Sequence, residues 1–283
     1  MTSSFHESLT RRNFLKAGAA SVAALSLGGR FLQAARAAGK NVPIGVQLYS
    51  VRHECEKDLP KVLQAISKFG YKGVEFAGYY GRDAKTLRKL LDDNGLVCCG
   101  THTGYNTVQP KELKQTIEFN KTIGNKYLIV PSMSANSKQG WLDKAKEFNA
   151  LAEQLKGEGM LTGYHAHGGD FKKFDGETAW DIFFGNTNPE VIMQLDTGNC
   201  RDGNADPIAV LKKYPGRAKT IHMKEHGGAK EAVIGGGDIP WKEVFELCDA
   251  TAQWYIVEHE RGGPDPVGDV GLCLEALKKM GKT

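Results

Sequence analysis

From residue 43 onward, short apolar runs alternate with longer amphipathic stretches. PIGVQLYSV (43–51), YKGVEFAGY (71–79), LVCCGTH (96–102) and KYLIVPS (126–132) are strand-like in length and composition. LTGYHAH (161–167), VIMQLD (191–196), AKTIHMK (218–224) and WYIVEHE (254–260) repeat the pattern. Between them, DLPKVLQAISKFG, DAKTLRKLLDDNG and LDKAKEFNALAEQLKGEG space their apolar residues as amphipathic helices do, and each ends in Gly. Eight strands alternating with helices over about 240 residues predict a single (β/α)8 TIM barrel of class α/β. An open doubly wound sheet would place a Gly-rich dinucleotide turn after its first strand. Here that strand runs into Tyr49-Ser50-Val51-Arg52 instead.

The N-terminus reads differently. Arg11-Arg12 precede Asn13-Phe14-Leu15-Lys16 and a weakly hydrophobic run, Ala17 to Leu27, that is too short for a spanning helix. This resembles a twin-arginine export signal. Ala35-Arg36-Ala37 fits a small-x-small cleavage site, which sets a signal peptide at 1–37 and a barrel at 38–283. The expected partner is the twin-arginine export machinery, the expected compartment periplasmic, and no stable membrane anchor remains after cleavage.

That segment also explains the charge. The chain has a formal charge of +4, and residues 1–37 hold five basic residues and one acid, Glu7. The remaining body is near neutral, which gives no footing for phosphate contacts and argues against nucleic acid as a partner. Six cysteines lack C-x-x-C or zinc-ribbon spacing and read as buried small hydrophobes, with room for one disulfide whose position the sequence leaves open.

Barrel active sites lie at the C-terminal strand ends. Those ends offer Gln47, Glu75, His102, then His165, His167 and Asp170, then Asp196, His222 with Lys224, and Glu258 with Glu260. Strands five to eight each place a metal-capable side chain after an apolar lead-in. Mixed carboxylate and imidazole donors suit Mn²⁺, Mg²⁺, Co²⁺ or Zn²⁺.

The body resembles the xylose-isomerase-like barrels known as sugar phosphate isomerases/epimerases. GVQLYSVR, GVEFAGYYG, GYHAHGGDF, QLDTGN, IHMKE and IVEHE are similar to that family's strand motifs, and IGGGDIPW (234–241) to its Gly-rich loop. The resemblance implies that Asp196, His222 and Glu258 hold one divalent metal ion. The fourth ligand in such barrels is a strand-five Glu; here His165 or Asp170 takes its place. His167 is expected to touch substrate.

The implied chemistry is proton abstraction next to a carbonyl through a metal-stabilised enediolate. Glu258, His167 and Lys224 are the catalytic candidates; Gln47, Glu75, His102 and Glu260 are the substrate contacts. An exported, metal-dependent sugar isomerase/epimerase is the first expectation. A 3-keto-glycoside lyase or glycal hydratase is the second, and a non-catalytic sugar-binding barrel the third. Export favours a free sugar or keto-glycoside over a sugar phosphate.

Overall fold

A computed structural model describes residues 41–260 and 263–282. The signal peptide expected at 1–37 lies outside the described residues. Eight parallel strands form the frame: β1 Ile44–Gln47, β2 Gly73–Phe76, β3 Val97–His102, β4 Tyr127–Val130, β5 Leu161–His165, β6 Ile192–Gln194, β7 Thr220–Met223 and β8 Trp254–Val257. They pair in the order β6-β5-β4-β3-β2-β1-β8-β7. A single parallel bridge, Asp196 to His222, joins the two ends of that sheet. The His222 N–H donates to Leu195 O across the same seam at 2.9 Å. The expected barrel is therefore present.

Helices α1 Arg52–Phe69, α2 Ala84–Asp93, α3 Leu113–Thr122, α4 Lys138–Lys156, α5 Ala179–Gly185, α6 Thr197–Asp202, α7 Pro207–Lys213, α8 Trp241–Cys248 and α9 Pro266–Lys279 connect the strands. Local chemistry sets their ends. Asp83 accepts from the Thr86 N–H at 2.9 Å to start α2, and Gly70, at φ 106°, ends α1. The helix expected from Asp58 begins earlier, at Arg52. Asp58 interrupts it with non-helical dihedrals and caps a second start, accepting from the Lys61 N–H at 3.1 Å, ahead of the turn carrying Pro60.

Strand parity sorts the side chains. Ile44, Val46, Val74 and Phe76 face outward into the main core beneath the helices. The alternate positions point into the barrel, whose lower interior is filled by Tyr127, Ile129 and Ile192 with Leu161 and Trp254. Above that apolar plug the interior turns polar, with Gln47, Glu75, Gln194 and Thr220 all fully buried.

The strands are shorter than the apolar runs that announce them. β5 stops at His165 and β8 at Val257, so His167, Asp170, Glu258 and Glu260 stand on the loops beyond. All six cysteines are buried and free, which leaves the expected possibility of a disulfide unfilled.

Close packing inside the barrel depends on absent side chains. A Cβ on Gly163 would lie 2.5 Å from Ile192 O and 2.7 Å from Ile192 Cβ. Gly163→Ala should lose about 1–3 kcal/mol of stability through overpacking. Gly169→Ala, with nothing within 4 Å of its new methyl, should stay within about 0.5 kcal/mol of wild type. Urea unfolding midpoints of the two variants test the contrast.

Candidate metal centre and active site

Register delivers the donors. His165 pairs with Gln194 across β5 and β6, Asp196 bridges His222, and His222 pairs with Ile256 across β7 and β8. Two residues beyond Ile256, on the same face, stands Glu258. One donor atom from each of His165, Asp196, His222 and Glu258 lies within 4.8 Å of every other, and all four residues are buried.

The donors present a demand as well as a shape. Asp196 Oδ1 accepts from the Asn199 N–H at 2.7 Å, capping α6, but Oδ2 is buried without a hydrogen-bond donor, with His222 Nδ1 3.8 Å away. A buried carboxylate oxygen left unpaired is costly. Burial pushes the Asp196 carboxyl up to about 7, Glu258 adding to the rise while Lys224 and His222 oppose it. Two carboxylates and two imidazoles around such an oxygen fit a divalent cation, so the residues present match the group the fold implies.

Hydrogen bonds from below fix the ring orientations. Gln194 Nε2 donates to Glu75 Oε1 at 2.9 Å, which turns its carbonyl oxygen toward His165 Nδ1 at 3.1 Å and His102 Nε2 at 3.0 Å. His165 therefore carries its proton on Nδ1 and presents Nε2 as a lone pair. Its pKa is held well below the histidine range by burial and by His222 and His102.

His222 lies between two carboxylates, Nε2 to Glu75 at 2.7 Å and Nδ1 to Glu258 at 2.8 Å. Burial opposes its charge, yet Glu75 and Glu258 push it up to about 10. Burial would raise Glu258, but the bond to His222 and the charges of His222 and Lys224 hold it well below the carboxylate range.

Two expected substrate contacts lie away from solvent. Gln47 and Glu75 are fully buried beneath the cluster, and both Glu75 oxygens are occupied by Gln47, Gln194 and His222. They orient rings instead of meeting solvent. Of the two strand-five candidates, His165 joins the cluster and Asp170 does not. Asp170 accepts from the Tyr164 hydroxyl and from the His167 N–H, each at 2.7 Å, and burial pushes it up to about 6.

The remaining candidates sit at or near the rim. His167 is exposed, its ring 4.9 Å from that of His165. His102 stacks on His222 with centroids 5.3 Å apart. Lys224 Nζ donates to Asn199 Oδ1 at 3.0 Å, to Glu258 at 3.1 Å and to Glu260. Burial works against its charge, but Asp196, Glu258 and Glu260 raise its pKa and keep it cationic. Glu260, exposed, is thus paired with Lys224 and lies 3.9 Å from Arg52.

Two contributors escaped the sequence reading. Gln194 lies in an apolar run, and only its parity with Asp196 signals an inward side chain. Glu225 in HMKEH is buried and accepts from the Gly235 N–H at 2.6 Å, the Ile239 N–H at 3.2 Å and Trp241 Nε1 at 2.9 Å. It moors the Gly-rich loop to the start of α8.

Comparison with known proteins bears on the fold and on the N-terminus. The family model for xylose isomerase-like TIM barrels matches residues 63–280, and the model for twin-arginine translocation signal sequences matches residues 8–28. The chain thus carries an N-terminal export signal. Among the described residues no helix is long and apolar enough to cross a membrane.

Curated relatives include the inosose dehydratase of Clostridium tetani, 25% identical over 79% of this chain and 89% of its own. That of Clostridium botulinum is 29% identical over 70% and 82%. A sugar phosphate isomerase/epimerase from Parabacteroides distasonis superposes with a TM-score of 0.74 at 25% identity, covering 84% of this chain and 98% of that one. The probable 3-DHS dehydratase of Bacillus anthracis shares the fold at 13% identity, with a TM-score of 0.66 over 83% and 98%.

Gln194→Ala removes the acceptor that orients His165. It should weaken Mn²⁺ or Zn²⁺ binding by about 10–100-fold while leaving the stoichiometry near one. Asp196→Ala should abolish stoichiometric binding. Calorimetric titration of metal-stripped protein reads both.

Proposed function

This chain belongs to the xylose isomerase-like TIM barrel family, and from that premise we propose that it is an exported, metal-dependent lyase acting on an unphosphorylated cyclic keto-sugar or keto-polyol. The observation that carries the reading is the buried cluster of His165, Asp196, His222 and Glu258, with its unpaired Asp196 oxygen and Lys224 alongside. In this reading those four side chains hold one divalent ion. When bound, such an ion supplies Lewis acidity toward a substrate carbonyl.

The chain's own residues then divide the work. His167 stands at the rim with its pKa lowered, first by loss of solvent and then by His102, Lys224 and His222 outweighing Glu258. A neutral imidazole there takes the proton from the carbon next to the carbonyl. The electron pair moves toward the carbonyl oxygen, and the Lys224 ammonium faces the negative charge that develops. The bond from the neighbouring carbon to its oxygen substituent breaks, a carbon–carbon double bond forms, and His167 returns its proton to the departing oxygen. One residue serves as base and then as acid, so the proton balance closes within the site.

Elimination is preferred because the curated relatives are named dehydratases, and a dehydratase removes water by this class of step. Isomerisation or epimerisation shares the first proton transfer and returns the proton to carbon. The likeness to a sugar phosphate isomerase/epimerase favours that second reading. Export argues for a substrate without phosphate, since the folded enzyme would work outside the cytoplasm, in the periplasm, after cleavage near Ala38.

The experiment is incubation of the Mn²⁺-reconstituted protein with an inosose and with 3-keto-glucose in D₂O, followed by NMR. Loss of the α-proton with a new unsaturated ketone supports elimination, and deuterium in a recovered isomer supports isomerisation. No exchange with either compound would sink both readings. Lys224→Met should lower the rate by about 10²–10³-fold at unchanged metal content. His167 must be unprotonated to act, so activity should fall with pH only below the usual histidine value of about 6.5, and His167→Ala should remove that limb along with most of the rate.

A further inference from the structure

The mechanism above leaves unused a pocket of about 450 Å³ at the same end of the barrel. It lies among the loops after β2 and β3 and the first turns of α3, and its size falls within the range of about 300–1,000 Å³ that receives small molecules. His102 is part of its lining. The His102 ring is also 4.6 Å from that of His165 and stacks on His222 at 5.3 Å. Pocket and donor cluster thus share one side chain as a wall.

The polar side chains of this pocket accept more than they donate. Thr107 Oγ1 donates to Gly104 O at 2.8 Å and Thr116 Oγ1 to Thr107 O at 2.7 Å, which leaves both hydroxyls with lone pairs to offer. The Tyr79 hydroxyl turns away, accepting from Nδ2 of the buried Asn120 at 3.3 Å. What Tyr79 presents is its ring, packed on that of Phe119 with centroids 4.1 Å apart. His102 Nε2 is engaged elsewhere, 3.0 Å from Gln194 Oε1.

Glu112 gives the pocket its charge. It is half-buried at the start of α3, yet its side chain does not cap that helix. Among the described residues its carboxylate has no hydrogen bond or ion pair. No lysine or arginine lines the pocket, and nearby Lys114 is turned to Glu118 at 3.9 Å. A ligand group with several donors, no acceptor and a positive charge matches the carboxylate, the threonine lone pairs and the aromatic wall together. A neutral hydroxyl would displace water and leave the Glu112 charge uncompensated, and an anion would be repelled.

We propose that this pocket binds a primary ammonium group, and that the ligand is an amino-substituted sugar or cyclitol. Taking that ligand as the substrate rests on the metal-site reading above, through the His102 wall. The preference for an amine rests on the pocket alone.

The test is calorimetric titration of the Mn²⁺-loaded protein. D-glucosamine, kanosamine and 6-amino-6-deoxy-D-glucose, each below the pKa of its amine, are set against D-glucose, N-acetyl-D-glucosamine and D-glucuronate. At least one amino sugar should bind about tenfold more tightly than D-glucose, and D-glucuronate should bind most weakly. Glu112→Gln keeps the shape and removes the charge. It should bring the amino sugar down to the affinity of D-glucose, with metal content and D-glucose binding unchanged. Glu118→Gln removes an exposed charge from the same helix and should leave the preference intact, which separates the pocket from the general field of the surface.

No binding of any amino sugar, equal affinity for amino and plain sugars, or a preference that survives Glu112→Gln would each overturn the proposal. An intact preference without proton exchange on keto-sugars would instead reject the elimination reading and leave the ammonium site standing.

Discussion

The carboxylate of Glu75 is the constraint on which the polar interior depends. It is fully buried on β2, above the apolar plug, and binds Gln47, Gln194 and His222, with His102 at 3.2 Å. A buried charge of this kind is tolerated only with partners on every side. Burial alone would raise its pKa, but His102 and His222 overcome that and hold it well below the carboxylate range. Its fixed negative charge then propagates upward. It anchors Gln194 in one orientation, Gln194 sets the tautomer of His165, and His222 is left to face Asp196 and Glu258 with its other nitrogen. Space for this anchor is made by omission, since a methyl on Gly100 would fall on the Glu75 carboxylate.

The electrostatics above Glu75 are finely opposed. Asp196, Glu258 and Glu260 are offset by Lys224 and by the raised pKa of His222. The residue left over is the Asp196 oxygen without a donor. A cation in this position would take over the role that the His222 proton plays toward Glu258, and its binding would then release that proton.

Much of this was legible in the sequence, for reasons that can be located. The barrel follows from eight apolar runs separated by amphipathic stretches, and Asp196, His222 and Glu258 follow from their positions at the ends of those runs. The choice between His165 and Asp170 was not legible, because it depends on the 3₁₀ turn at 168–171 that folds Asp170 back onto Tyr164 and His167. Glu75 has the same appearance in sequence as a substrate contact. Its depth is set by partners 28, 119 and 147 residues away, and no local pattern encodes such distances.

The pairing of β1 with β8 sets Ile44 against Tyr255 and Val46 against Val257. The first strand therefore waits for the last before the barrel can close, a high contact order that makes folding slow. Glu258 arrives with that last strand, one residue past its end. The four donors can assemble only once β8 has joined β1 and β7, so a half-made barrel has no cluster to fill. For a protein bearing a twin-arginine signal, cluster assembly is thus a built-in report that the barrel has closed.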